Sequence, residues 1–160
     1  MMTSEHDLRG IGDVEDFAPP LPAGVHEIEP LALDRSEGVY GVVYFLTCNV
    51  TASPTNPPLV GKKFQCKLRI SGKLASQTAG NLRDFKGTLK CILAHNQGVQ
   101  QWIAADCPPT DGLSKDQMWE RIVQTACTTP EFLRGSRVMV DAVGKQGVKP
   151  YTIYKFLYAV

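Results

Sequence analysis

The chain has 160 residues, 43% of them hydrophobic, a net charge of +1 and five cysteines. That length supports one globular domain whose core needs no covalent staple. The odd cysteine count without any CxxC spacing argues against a disulfide framework or zinc site, and nothing reads as a signal peptide or membrane span, so a soluble protein of a reducing cytoplasm is expected.

The small net charge conceals a segregated one. Residues 1–37 hold nine acids against two bases, residues 38–60 hold no charge, and residues 61–100 hold eight bases against Asp84 alone. A near-neutral chain of this kind can present a strong local field if the blocks stay apart in space, or a bland surface if they mix.

Residues 1–23 are acidic and proline-rich and read as a flexible arm, too poor in apolar surface to offset its ordering entropy. A domain over residues 24–160 follows. Residues 25–33 form a first strand with Pro30 at a bulge or edge, and residues 34–38 a polar turn. Residues 39–50, rich in β-branched and aromatic side chains, form a second strand, and the prolines of residues 52–58 a loop. Residues 62–70 alternate strictly: Phe64, Cys66, Leu68 and Ile70 on one parity, Lys63, Gln65, Lys67 and Arg69 on the other. That is a strand with an apolar face and a basic comb.

Beyond Gly72 the period becomes helical. Leu82, Phe85, Leu89, Ile92 and Leu93 define a first helix capped by Thr78 or Asn81, and residues 97–102 add a short extended piece. Ser114 followed by Gln117 is a capping box that opens a second helix, with Met118, Trp119, Ile122, Val123 and Ala126 on its apolar face. Strands return at residues 136–143, with Val138, Val140 and Ala142 inward, and at 151–158, joined by a glycine-bearing loop. Three strands, a helical insert and a closing hairpin fit a mainly β, OB-fold-like five-stranded Greek-key barrel with helices between strands 3 and 4. An α+β sandwich is the structural alternative.

A basic groove with aromatic faces is what non-specific binding of single-stranded nucleic acid requires. Lys63, Gln65, Lys67, Arg69 and Lys73 supply the polar stripe. In strand two Tyr40, Val42, Tyr44, Leu46, Cys48 and Val50 share one parity and read as core, while Gly41, Phe45, Thr47 and Asn49 share the other, so Phe45 either faces outward beside the comb or lies under the helical insert. Tyr151 and Tyr154 are further stacking candidates or core residues, and Lys145 and Lys149 flank the last hairpin as phosphate contacts or as a solvated loop tip. Other chemistry is thin. His6, His26 and His95 lie apart, no nucleotide-binding glycine motif or GxSxG elbow occurs, and the carboxylates concentrate in the arm, so neither catalysis, a metal nor a cofactor is expected.

The segments LPAGVHEIEPLAL, GVYGVVYFLTCNV, PLVGKKFQCKLRIS, NLRDFKGTLKCIL, FLRGSRVMVDAV and GVKPYTIYKF carry a family resemblance over roughly residues 21–158. The chain resembles small phage-encoded single-stranded-DNA-binding proteins of the OB-fold type. The resemblance implies coating of exposed strands, DNA or RNA, during phage replication or recombination, inside an infected bacterial host. Host-type single-strand binders are similar in fold but end in an acidic, aromatic-tipped tail. Here the acidic stretch, DVEDFAPP, lies at the other end. Contact with replication or recombination proteins is therefore expected of the N-terminal arm, and a homo-oligomer is compatible with this reading. The alternative is a protein–protein interaction module on the same scaffold, a virion component or an inhibitor of a host enzyme.

Overall fold

A computed structural model describes residues 20–39, 41–105, 112–148 and 151–160. Five strands, β1 (Gly24–Gly38), β2 (Gly41–Ala52), β3 (Lys63–Arg69), β4 (Val138–Lys145) and β5 (Tyr151–Ala159), form one mainly antiparallel β architecture. Three helices, α1 (Ala75–Ile92), α2 (Gln97–Ala105) and α3 (Lys115–Thr128), lie between β3 and β4. The sheet order is β3-β2-β1-β4-β5, every neighbouring pair being antiparallel. β3 and β5 are its two edges, and among the described residues no ladder joins them.

Alternation dictates which side becomes core. The even positions Leu46, Cys48 and Val50 of β2 face the same side as Phe64 and Cys66 of β3, Ile28 of β1 and Val138, Val140 and Ala142 of β4, and all are buried. Phe85, Leu89 and Ile92 of α1 and Met118, Ile122 and Ala126 of α3 cover that side at helical spacing. The sheet curls as it accumulates strands, so that Phe64 of one edge and Tyr154 of the other meet inside, ring centroids 5.1 Å apart. α1 packs against both edge strands.

Some expected boundaries move, each for a local reason. Residues 34–38 are not a turn; they extend β1 and pair with residues 41–45 of β2. Residues 34–37 are exposed at both parities, so their polar composition imitates a turn. The reversal falls between Gly38 and Gly41. Gly41 has φ of +114°, and a Cβ there would stand 2.7 Å from Cβ of Ser71, so two demands select glycine. α1 begins before Thr78 and Asn81. Those side chains serve the corner instead: Thr78 Oγ1 accepts from Gly72 N–H at 2.9 Å and Asn81 Nδ2 donates to Ile70 C=O at 3.3 Å. Gln77 Oε1 takes the N–H groups of Lys73 and Leu74 at 2.9 and 3.2 Å. Leu82, expected in the core face, is exposed. Residues 97–102 are helix, not an extended piece: Asn96 Oδ1 accepts from Val99 N–H at 3.2 Å and so acts as the cap that the sequence reading missed. The capping box is present as read, Ser114 Oγ accepting from Gln117 N–H at 3.2 Å and Gln117 Oε1 from Ser114 N–H at 3.0 Å.

The entry to the domain is anchored before β1. Leu21, within the segment read as an arm, is 3% exposed, and its N–H donates to Tyr154 Oη at 3.0 Å. His26, fully buried on β1, holds Pro22 C=O at 2.9 Å from Nε2 and Ser53 Oγ at 2.9 Å from Nδ1. A carbonyl can only accept, so Nε2 donates to it, and in the neutral ring Nδ1 accepts from the serine hydroxyl. This histidine ties the incoming chain to the β2–β3 connection. No helix among the described residues is long and apolar enough to cross a membrane.

Candidate nucleic-acid interface

The β2–β3 register places the comb beside a matching row. Arg69 pairs with Val43, Lys67 with Phe45, Gln65 with Thr47 and Lys63 with Asn49. All eight share the outward parity, and the side chains of Lys63, Lys67 and Arg69 are exposed. Phe45 is half-buried and outward, so the alternative of burial beneath the helices does not hold. Its outer-face neighbours are Lys67 on one side and Asp34 of β1 on the other. Gln65 Nε2 donates to Thr47 Oγ1 at 3.4 Å. Asn49, with its amide nitrogen turned toward the β2–β3 loop, reaches Gly61 and Lys62 C=O at 3.2 and 3.3 Å and braces that loop.

The inner face of the same ribbon is rigidly packed. Tyr44 stacks on Phe85 of α1 with centroids 4.9 Å apart and planes 22° apart. Its hydroxyl pKa is raised, chiefly by burial. Burial likewise pushes the Cys48 thiol well above its ordinary value, and the adjacent Cys66 adds to the effect. The aromatic and cationic side chains of the outer face thus stand on a backbone fixed from beneath.

Backbone geometry gives β3 a second property. Ile70 N–H donates to Val42 C=O at 3.2 Å, and Val50 N–H donates to Lys62 C=O at 2.9 Å. The even residues of β3 therefore carry the ladder to β2, and Gln65, Lys67 and Arg69 direct N–H and C=O the other way. That way lies a groove of about 1020 Å³ between the edges β3 and β5. Lys67 and Arg69 rim it on one side, Tyr151 and Ile153 on the other, and Asn81, Asp84 and Thr88 of α1 lie along it. One groove therefore joins the comb to the final strand.

The remaining expected residues distribute unequally. Tyr151 is exposed, lines the groove and pairs with Lys145, also exposed, across the β4–β5 ladder. Tyr154 lines the groove but faces inward, its ring on Phe64 and its hydroxyl on Leu21, with its pKa raised mainly by burial. Lys73 is exposed at the β3–α1 corner. Lys149 and Tyr40 lie outside the described residues. Val43 was missed, although the parity argument that found Phe45 covers it, and Thr47 was read on the outward parity without being singled out for the site. Asn81, Asp84 and Thr88 were missed as well, and their spacing of three and four on α1 was the available signal.

The chain matches no protein-family model and no curated protein sequence.

Proposed function

We propose that the protein binds single-stranded DNA without sequence preference, on an OB-like barrel whose seam between β3 and β5 is open. Support for the barrel comes from β1 pairing with both β2 and β4, helices between β3 and β4, and contact between the two edges through Phe64 and Tyr154. OB barrels are partly open Greek-key barrels that bind oligonucleotides on the strand 2–3 face. The observation that carries the functional reading is the outer row of β2 and β3, where Phe45 sits directly beside Lys67 with Arg69 and Lys63 on either flank. Bases stack on the ring and phosphates meet the cations, and neither interaction reads base identity. Lys73, Lys145 and Tyr151 extend the track along the groove rim. The setting is phage replication or recombination in the host cytoplasm.

A mobility-shift series with a labelled oligothymidylate across a range of salt concentrations tests this. Affinity falls with salt, with a log–log slope of about −0.7 per phosphate neutralised. Lys63→Ala, Lys67→Ala and Arg69→Ala together weaken binding and flatten the slope while circular dichroism stays unchanged. Binding by that triple variant equal to wild type removes the comb from the interface.

One observation favours a second reading, a protein–protein module. The outer face of β4 and β5 carries Met139 opposite Tyr158 and Val143 opposite Ile153, with Val25 of β1 beside them, and Val25, Ile153 and Tyr158 are exposed. Failure of the wild-type protein to bind any oligonucleotide at low salt would turn attention to this face.

A further inference from the structure

The groove between β3 and β5 has an unusual construction for a ligand slot. One wall is a strand edge whose Lys67 and Arg69 offer backbone N–H and C=O groups together with positive side chains. An edge of this kind accepts an added strand, and natural proteins cover such edges. The first described residues lie against it: Pro20 lines the groove, and Leu21 is buried with its N–H on Tyr154 Oη at 3.0 Å. Nineteen residues precede Pro20, and residues 13–17 read DVEDF, three carboxylates around a valine and ending in an aromatic.

We propose that residues 13–18 dock in this groove as an extended segment along the β3 edge, with Asp13, Glu15 and Asp16 against Lys67 and Arg69 and Phe17 against the apolar floor. The reach is adequate. Six extended residues cover about 20 Å at roughly 3.3 Å each, the length of β3 from Phe64 to Arg69. The charges are complementary, the acid Asp84 of α1 being the one opposing carboxylate among the described lining residues. Tethering at Leu21 keeps the segment at an effective concentration in the millimolar range, so weak contacts suffice to hold it. Docking covers the same cations that the nucleic-acid reading uses. Competition with a bound strand therefore follows, and that consequence alone rests on the function proposed above.

Hydrogen exchange resolved at single amides tests the docking on the full-length chain. Its readout is the exchange rate of the Lys67 and Arg69 amides, which face the groove. The variant Asp13→Asn, Glu15→Gln, Asp16→Asn, Phe17→Ala raises those rates about tenfold while amides of the β1–β2 ladder keep theirs. Lys67→Glu with Arg69→Glu has the same effect, and adding Asp13→Lys, Glu15→Lys and Asp16→Lys restores slow exchange. Unchanged Lys67 and Arg69 rates in the arm variant overturn the docking, whatever oligonucleotides do. Oligothymidylate binding by the same proteins at low salt separates the two proposals. Tighter binding by the arm variant supports competition. Changed exchange with no binding by any variant leaves the docking standing and removes the nucleic-acid reading.

Discussion

The two halves of the sheet share one core and differ on their outer faces. On the inside, β2–β3 contributes Leu46, Cys48, Phe64 and Cys66, and β4–β5 contributes Val138, Val140, Ala142 and half-buried Phe156, all against the helices. Outside, β2–β3 shows Lys63, Lys67 and Arg69 around Phe45, whereas β4–β5 shows Met139, Ile153 and Tyr158 with Asp141 and Lys155 paired between them. Folding constrains only the inner parity, because burial there supplies the driving force. The outer parity is free to differ, and what differs there is the chemistry a partner would meet.

The largest expected effect tests whether the inner faces are one core. Leu46 is fully buried on β2, and Leu46→Ala costs about 2–5 kcal/mol in denaturant unfolding. Val140→Ala on β4 lowers the midpoint in the same direction. On the outer face, Ile153→Ala stays within about 0.5 kcal/mol of wild type. A core variant on one half with wild-type stability would show that the halves do not share a core.

Phe45→Ala separates binding from folding on the cationic half. A stacked base is worth about 1–3 kcal/mol, so oligonucleotide affinity falls by that amount, with the salt slope retained because stacking releases no counterion. Thermal melting should change far less than in Leu46→Ala. A large drop in melting temperature with normal affinity would assign Phe45 to packing instead.

The inner parity was legible in the sequence because alternation at Phe64, Cys66 and Leu68 and at Leu46, Cys48 and Val50 has one physical cause, burial of one face. The comb followed as its complement. Register was not legible: nothing in the sequence says that Lys67 stands beside Phe45, since that is set where the β2–β3 connection closes, with Gly61 N–H on Val50 C=O at 2.8 Å and Val50 N–H on Lys62 C=O at 2.9 Å. The groove was not legible either, because it exists only once the sheet curls and brings β5 toward β3. Residues 34–38 were misread where polar composition stood in for tertiary position, and residues 97–102 where the Asn96 cap was overlooked.

Alkaline pH distinguishes the halves by their thiols. Cys48 and Cys66 both lie inside the β2–β3 half, and the Cys48 pKa is raised by burial and then by Cys66. A raised folded pKa means the unfolded chain releases its proton first. This contribution is therefore fully present below about pH 8.5, the ordinary thiol value, and is lost as pH rises above it. Stability of the wild type falls above that pH with a slope of at most about 1.4 kcal/mol per pH unit from this group. In Cys48→Ala that part of the slope disappears, whatever the offset from the lost side chain. Parallel stability–pH curves for the two proteins would remove Cys48 as a source.

The smallest effect concerns Asp34, the acid beside Phe45 on the outer face. It pairs with Phe45 across the β1–β2 ladder, is exposed, and sits on the side of the ring opposite Lys67. A phosphate positioned by Lys67 with its base on Phe45 lies a side chain or two from this carboxylate. Unit charges 4 Å apart in water repel by about 1 kcal/mol, and greater separation reduces that. Asp34→Asn therefore tightens binding only a few-fold at low salt, and the gain vanishes as the Debye length shrinks toward about 8 Å near 0.15 M. Stability should not move, since the side chain is solvated. The same substitution at Asp141, on the apolar half, should leave oligonucleotide affinity as it was. An equal gain from both would mean that the strand responds to net charge alone, and the distinction between the two outer faces would no longer describe binding.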